Sequence, residues 1–334
     1  MIEHARIPFP DALPMGPERC GLVGEHPDML KVYRLISVAA PTLASVLILG
    51  APGTGRTTVA RCIHENSILS EGPWLAVRLS ELTPEAAEIE LFGEEQEGGD
   101  GGFRPGMGRL EQARGGTLFL EDASSLSLAT QARLVTALHA PAIERRQHGG
   151  ARSTEFRIIA SAPRDLRLGL AAGTFREDLY FLLAVVTIPL PALADRGDDL
   201  LALLAHFVRL NAETQPTTGP ELTGITPSAL RSLEAHQWSS NVSELRDLVY
   251  GMCERATGDT VQLEDLPPEF RHEVVPVVRN RALATLAEIE AEHIALVLRQ
   301  SRGMIHRAAE ILGVHRNTLT RKIREYGIPD SRGN

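Results

Sequence analysis

The sequence predicts an α/β domain built on a parallel sheet, followed by an all-helical region and a small all-α module near the C-terminus. Apolar strand patterns alternate with amphipathic helical patterns up to about residue 198, which places helices on both faces of a parallel sheet. Beyond that residue only helical periodicity is present. With 334 residues, 43% of them hydrophobic and 23% charged, the chain is long enough for two or three globular domains.

The elements of the predicted sheet follow one another in a regular order. Each strand pattern is short and borders a turn rich in glycine, proline or polar residues. The predicted strands are residues 45–50, 74–79, 117–120, 156–160 and 185–188. Helical patterns between them cover residues 57–66 and 127–138, and those of the later helical region cover residues 198–211, 226–236 and 241–256.

Charge is distributed unevenly along the chain. The whole chain has a net charge of −9, yet residues 281–334 carry nine basic and six acidic side chains. An acidic body that carries a basic C-terminal module is typical of a protein that binds nucleic acid. A solvated helix face explains the charge equally well, so the residue pattern of the module has to decide.

Cysteine usage and hydropathy indicate a cytoplasmic protein. Cys20, Cys62 and Cys253 form no C-x-x-C motif, so we expect core or inert thiols and neither a disulfide nor a zinc site. The apolar stretch 179–194 is shorter than the roughly 18 residues that a membrane span needs. The first 20 residues lack the apolar region of a signal peptide, and we expect no contact with a membrane.

A glycine-rich segment joins the first predicted strand to the helix that follows it. Residues 50–57 read Gly-Ala-Pro-Gly-Thr-Gly-Arg-Thr, a pattern whose backbone N–H groups cradle phosphates at the positive end of a helix. Arg56 stands where the phosphate-loop pattern has lysine, and a planar guanidinium does not simply replace an ammonium group. A glycine turn that has lost its ligand therefore stays open as an alternative. The predicted nucleotide-binding residues are Gly50, Gly53, Thr54, Gly55, Arg56, Thr57 and Thr58.

Several longer motifs follow the phosphate loop in order. They include Glu-Leu-Phe-Gly at 90–93, Gly-Gly-Thr-Leu-Phe-Leu at 115–120, Phe-Arg-Glu-Asp-Leu-Tyr at 175–180 and Trp-Ser-Ser-Asn-Val-Ser-Glu-Leu at 238–245. From about residue 22 to residue 267 the chain resembles the AAA+ domain of bacterial sigma-54-dependent enhancer-binding activators. The resemblance implies a P-loop AAA+ sheet with a helical lid, a ring that is usually a hexamer, and hydrolysis of ATP with Mg²⁺ at subunit interfaces.

The resemblance also divides the chain. It implies an N-terminal extension at 1–21, an AAA+ α/β subdomain at 22–195 and a helical lid at 196–267. A linker at 268–282 then leads to a Fis-type helix-turn-helix domain at 283–334.

Positions that carry the family's chemistry depart from its pattern. By resemblance the catalytic residues are Glu121, Asp122 and Arg176, and the Mg²⁺ ligands are Thr57 and Glu121. The order Glu121-Asp122 is inverted relative to the family, which shifts each carboxylate by about one methylene group, and a misplacement of about 1 Å can cost about 10²-fold in rate. We therefore expect an ATPase activity that is lost or weak.

Other departures affect the residues that sense and contact the nucleotide. Arg78 replaces an asparagine, Ala162 and Pro163 replace a threonine-asparagine pair, Leu182 replaces one of two arginines and Ser243 replaces the lid arginine. The family's Gly-Ala-Phe-Thr-Gly-Ala loop is absent from residues 94–103. We therefore expect the contact with sigma-54 to be missing.

The C-terminal module has the pattern of a helix-turn-helix. A helix over 305–312, a tight turn at 313–315 and a basic helix over 316–325 follow an amphipathic helix over 286–300. Residues 307–327 resemble the Fis-type DNA-binding domain, which implies a dimer that reads two half-sites about 34 Å apart. A helical hairpin used only for protein contact is the alternative. The predicted DNA-binding residues are His315, Arg316, Asn317, Thr318, Thr320, Arg321 and Lys322.

These observations favour a transcriptional regulator that binds a double-stranded DNA operator and oligomerises through an AAA+-like body. It would act without remodelling sigma-54 RNA polymerase, either through the housekeeping RNA polymerase or by repression. One rival interpretation is an active ATP-hydrolysing sigma-54-dependent activator. Another is an inactive subunit that joins the ring of a catalytic paralogue.

Overall fold

The computed structural model describes two units, which are treated separately. Residues 1–230 and 236–266 belong to the first unit, and residues 231–235 and 267–334 belong to the second. Among the described residues no helix is both long and apolar enough to cross a membrane. The described residues are 6–10, 20–93, 95–97, 103–105, 107–139, 156–214, 222–255, 258–271, 290–291, 293–295, 297–298, 301 and 304–326.

Five parallel strands form the central sheet of the first unit, as the sequence predicts. The described residues form ten strands in all, which belong to the central sheet and to two smaller sheets. They are β1 (Ile7–Pro8), β2 (Val46–Leu49), β3 (Trp74–Arg78), β4 (Glu95–Glu97), β5 (Phe103–Pro105), β6 (Thr117–Glu121), β7 (Arg157–Ala162), β8 (Val186–Pro189), β9 (Gly224–Ile225) and β10 (Thr260–Val261). The order in the central sheet is β3-β6-β7-β2-β8. The β4 and β5 strands pair antiparallel, and β9 pairs antiparallel with β1 and parallel with β10.

Helices cover the sheet and form the lid and the C-terminal module. They are α1 (Pro27–Ala39), α2 (Arg56–Glu65), α3 (Pro84–Phe92), α4 (Arg109–Gln112), α5 (Leu128–His139), α6 (Leu166–Ala171), α7 (Glu177–Leu183), α8 (Leu200–Thr214), α9 (Pro227–Ala235), α10 (Asn241–Arg255), α11 (Ile305–Ile311) and α12 (Arg316–Glu325). Short 3₁₀ turns lie at Leu79–Glu81, Ala123–Ser125, Leu193–Asp199, Leu263–Asp265 and Pro268–Phe270. The helical pattern over 286–300 lies partly outside the described residues, and those described between 290 and 298 are helical.

Apolar residues of the central strands alternate between two cores. Phe119 and Ile159 face the core that α1 and α2 cover, and their neighbours Leu118, Leu120 and Ile158 face the core beneath α3, α5 and α7. Successive side chains of a strand point to opposite faces, so a strand that is apolar at every position needs helices on both sides. This is why the short apolar runs form the interior of a parallel sheet.

The cysteines differ from the prediction that none is paired. Cys20 and Cys62 form a disulfide, with their Cα atoms 5.3 Å apart. Their 42-residue separation gives no local signal, because the bond depends on how the segment before α1 lies against α2. Cys253 is free and buried, and its burial raises the pKa of the thiol.

Arg157, at the start of β7, is fully buried and satisfies the C-terminal end of α1. Its Nη2 donates to the Ala39 carbonyl at 2.8 Å, its Nη1 to Ala40 at 3.1 Å and its Nε to Ala44 at 3.2 Å. The last carbonyls of a helix lack partners within it and carry negative partial charge, so a buried cation is suited to this position. Burial lowers the pKa of Arg157 to about 10, which leaves the side chain charged at neutral pH.

Replacing this arginine should weaken the fold. We expect Arg157→Met to lower the free energy of unfolding by about 3 kcal/mol, because it leaves three carbonyls without their charged donor. The control is Arg164→Met, which removes an exposed guanidinium 3.6 Å from Asp195 and should change stability by about 0.5 kcal/mol or less. Urea unfolding measures both variants. Equal midpoints for the two would show that the buried contacts do not stabilise α1.

Candidate nucleotide and DNA sites

The phosphate loop lies between β2 and α2 and depends on two glycines with positive φ. Gly53 has a φ of 76° and Gly55, which caps the N-terminus of α2, has a φ of 98°. Residues other than glycine rarely adopt these backbone angles without strain. The first N–H groups of α2 have no acceptors within the helix, so they can point at an anion.

The lid holds this loop through backbone carbonyls. Ser243 N–H donates to the Gly53 carbonyl at 3.3 Å, and the Asn241 side-chain amide donates to the Pro52 carbonyl at 2.9 Å. The Asn241 side-chain oxygen accepts from the Leu193 N–H at 3.0 Å. These contacts use carbonyls and leave N–H groups of the loop for a ligand. No sequence pattern predicted the role of Asn241, whose φ of 53° is unusual for a residue other than glycine.

The predicted nucleotide-binding residues fall on this one junction of loop and helix. Arg56 is buried, and its Nη1 donates to the Gly50 carbonyl at 3.3 Å. The Thr54 hydroxyl donates to the Ala51 carbonyl at 2.8 Å. The guanidinium of Arg56 therefore folds back onto the loop itself, where it adds fixed positive charge.

The end of β6 places Glu121 beside the start of α2. The Thr57 hydroxyl donates to Glu121 Oε1 at 3.2 Å, and Arg78 Nε lies 3.5 Å from Glu121 Oε2. Arg78 is directly opposite Glu121 in the β3–β6 pairing, so both side chains leave the same edge of the sheet. The residue that replaces the family's asparagine thus binds the carboxylate that the resemblance assigns to catalysis.

Asp122 follows in a left-handed conformation, with φ 62° and ψ 61°. Its N–H donates to the Ser161 hydroxyl at 3.1 Å, and its carboxylate accepts from the Ser124 hydroxyl at 2.6 Å. A general base has to reach the attacking water. Here the Asp122 carboxylate is engaged within its own turn.

The predicted magnesium ligands were tested against this geometry. Mg²⁺ requires about six oxygen ligands at about 2.0–2.1 Å. Thr57 and Glu121 bond to each other, and the guanidinium of Arg78 faces the second oxygen of Glu121. The part of the chain that the structure describes contains no group of three or more His, Cys, Asp or Glu side chains that could hold a metal ion. Arg78 therefore places a positive charge beside the carboxylate that would hold the ion, and this charge disfavours a magnesium ion there.

Arg176, the third predicted catalytic residue, lies at the N-cap of α7. Its guanidinium forms a bidentate pair with Asp178, at 3.0 and 2.7 Å, which raises the pKa of Arg176 and lowers the pKa of Asp178. Its N–H donates to the Gln131 side chain at 2.8 Å. The structure does not bring Arg176 to Glu121 or Asp122 within one subunit.

The described part of the C-terminal module is a helix-turn-helix with its own apolar core. Ala308, Ala309 and Leu319 are buried where α11 and α12 pack, and Gly313 has the positive φ of 66° that its turn requires. His315 caps α12, since its Nδ1 accepts from the Asn317 N–H at 3.3 Å.

Most predicted DNA-binding side chains lie on the outer face of α12. His315, Arg316, Asn317 and Arg321 are exposed, and Arg321 contacts Glu325 only at 3.9 Å. Thr318 and Thr320 are half-buried, and the Thr320 hydroxyl donates to the Arg316 carbonyl at 3.0 Å.

Lys322 departs from the predicted outward position. Its ammonium lies 2.6 Å from a Glu290 carboxylate oxygen that also accepts from the Tyr326 hydroxyl at 2.6 Å. This bond raises the pKa of Lys322, while Lys322 and Tyr326 together lower the pKa of Glu290. Lys322 therefore attaches α12 to the helical segment that contains Glu290, because Lys322 faces the packed side of the module.

Three protein-family models match consecutive parts of this chain. Residues 22–189 match the model of the sigma-54 interaction domain, 194–283 the AAA+ ATPase lid domain, and 285–326 the bacterial regulatory protein Fis family. The transcriptional regulatory protein ZraR of Escherichia coli K12 is 35% identical over 91% of this chain and 68% of its own length. NtrC of Rhizobium meliloti is 32% identical over 92% of this chain and 70% of its own length.

Solved structures agree with this assignment. Crystal structures of NtrX from Brucella abortus with ADP and with ATP each have a TM-score of 0.64 and 32% identity to this chain. The ADP complex covers 93% of this chain and 70% of NtrX. The fold and site define a P-loop AAA+ domain with a lid, joined to a Fis-type helix-turn-helix. The chain belongs to the family of transcriptional regulators that carry a sigma-54 interaction domain.

The contact between loop and lid leads to a test at Gly53. A Cβ atom built on Gly53 would lie 2.0 Å from the Ser240 carbonyl oxygen, so we expect Gly53→Ala to cost at least about 2 kcal/mol of stability. Gly258→Ala is the control, because its Cβ meets no atom within 4 Å. Thermal unfolding compares the two variants. A Gly53→Ala protein as stable as Gly258→Ala would mean that the lid does not close on the loop.

Proposed function

We propose that this chain is a DNA-binding transcriptional regulator whose AAA+ domain binds ATP but neither hydrolyses it at a useful rate nor remodels sigma-54 polymerase. The observation that carries the proposal is the state of the two carboxylates after β6. Glu121 pairs with Arg78, and Asp122 bonds within its own turn. Because P-loop hydrolysis depends on positioning and charge together, neither carboxylate is placed to orient the attacking water.

The loss of arginines also lowers the expected rate of ATP hydrolysis. Leu182 and Ser243 stand where the resemblance calls for arginines, and Arg176 is paired with Asp178. An arginine finger supplied in trans is worth about 10³–10⁵ in turnover. The apolar frame of the domain is intact, which supports a retained role in assembly, as a dimer through the C-terminal module and as a ring through the AAA+ body.

DNA binding is the activity that the second unit supports. The first turn and outer face of α12 present Arg316, Asn317 and Arg321 to solvent, and a recognition helix uses such donors for base edges and phosphates. Double-stranded operator DNA is the proposed ligand of this face.

An active ATP-hydrolysing activator is the second candidate. It is favoured by the two positive-φ glycines that shape the phosphate loop and by the likeness to NtrX, which has been crystallised with ATP. The two candidates differ in turnover, since only the activator needs a working carboxylate at the end of β6.

Steady-state ATP turnover by the purified chain, at concentrations that allow assembly and with operator DNA present, tests the proposal. We expect a rate indistinguishable from that of Thr57→Val, the control that removes the loop hydroxyl. Turnover near 1 s⁻¹, the low end for working enzymes, would overturn the proposal and favour the activator. A triple variant that combines Arg78→Asn, Glu121→Asp and Asp122→Glu should hydrolyse ATP faster than the wild type.

Salt dependence of DNA binding tests the second unit. With an operator selected from a random duplex pool, we expect Arg316→Ala and Arg321→Ala each to weaken binding and to reduce the slope of log K against log salt by about one. Arg133→Ala, which removes a half-exposed guanidinium from α5 in the first unit, serves as the charge-matched control. Fluorescence anisotropy gives the slopes. Slopes equal to the control would exclude α12 as the recognition helix.

A further inference from the structure

A guanidinium lies at the edge of the sheet where the two magnesium ligands of the resemblance meet. Arg78 Nε is 3.5 Å from Glu121 Oε2, and Thr57 donates to the other oxygen of the same carboxylate. The carboxylate that would hold a divalent cation through its negative charge is therefore already next to a cation.

The position of Arg78 follows from the strand register. It pairs directly with Glu121 between adjacent parallel strands, so the two Cβ atoms lie on the same side at the same level. Its Nη1 also lies 3.4 Å from Glu81, in the turn that follows β3. Two carboxylates, one on each side, keep the guanidinium beside the start of α2.

A guanidinium has donors left after these contacts. It carries five N–H groups in a planar fork that matches phosphate oxygens, and the two carboxylates approach only Nε and Nη1. Arg56 supplies a second, buried guanidinium within the loop itself. One cation thus lies within the loop, and a second lies beside the carboxylate that Thr57 contacts.

We propose that this chain binds ATP free of metal, with Arg78 in the charge-neutralising position that Mg²⁺ takes in a working P-loop enzyme. The proposal rests on the nucleotide binding proposed above and specifies its ligand as the metal-free nucleoside triphosphate. Arg78 contributes a fixed charge and directional N–H donors, whereas Mg²⁺ at the same carboxylate would have to lie next to the Arg78 cation.

Equilibrium binding of ATP to the full-length protein tests this assignment by calorimetry, in excess MgCl₂ and in excess EDTA. For the wild type we expect dissociation constants that agree within about threefold in the two buffers. For Arg78→Asn, which keeps a polar side chain but removes the charge, we expect binding in EDTA to be at least about tenfold weaker than in MgCl₂. Arg246→Asn removes an exposed guanidinium paired with Asp247 on α10 and should behave as the wild type.

Three results would overturn the proposal. They are a wild-type affinity that falls tenfold or more in EDTA, an Arg78→Asn protein with the same metal dependence as the wild type, and no binding in either buffer. The turnover assay decides the proposed function separately. A protein that needs Mg²⁺ to bind ATP and still does not hydrolyse it would exclude only the metal-free site, whereas measurable turnover would exclude the non-hydrolysing regulator.

Discussion

The parallel pairing of β3 with β6 is the constraint on which the nucleotide site depends. It sets Arg78 opposite Glu121, and the turn after β6 then fixes the direction of Asp122. Buried apolar side chains on both faces hold β6 and so fix the position of Glu121, whereas the Arg78 side chain on β3 is exposed. Arg78 on β3 therefore adds a positive charge beside Glu121, near a loop whose sequence alone predicts phosphate binding.

The lid and the loop are coupled through the backbone. Gly53 approaches Ser240 so closely that no side chain fits between them, and Asn241 joins the loop to the segment before α8. The approach of Gly53 to Ser240 depends on backbone shape, whereas the two Asn241 contacts depend on its side-chain amide. The approach of Gly53 to Ser240 can therefore persist when neighbouring side chains of the loop change.

In the C-terminal module the two faces of α12 make different contacts. One face of α12 is occupied by Leu319, Ile323 and the Lys322–Glu290 pair, which hold the helix in place. The opposite face carries Arg316 and Arg321, which have no strong partner among the described contacts of the module. A recognition helix needs both faces, because a phosphate or base contact is only as well positioned as the packing beneath it.

The sequence by itself determined the five strands, the glycine loop, the helical region after residue 198 and the helix-turn-helix, because hydrophobic periodicity and glycine positions are local properties of the chain. Only the tertiary structure decided three further points: the bond between Cys20 and Cys62, the pairing of Arg78 with Glu121, and the pairing of Lys322 with Glu290. Each joins residues 32 or more positions apart. Long-range register and packing, which no local pattern encodes, bring such residues together.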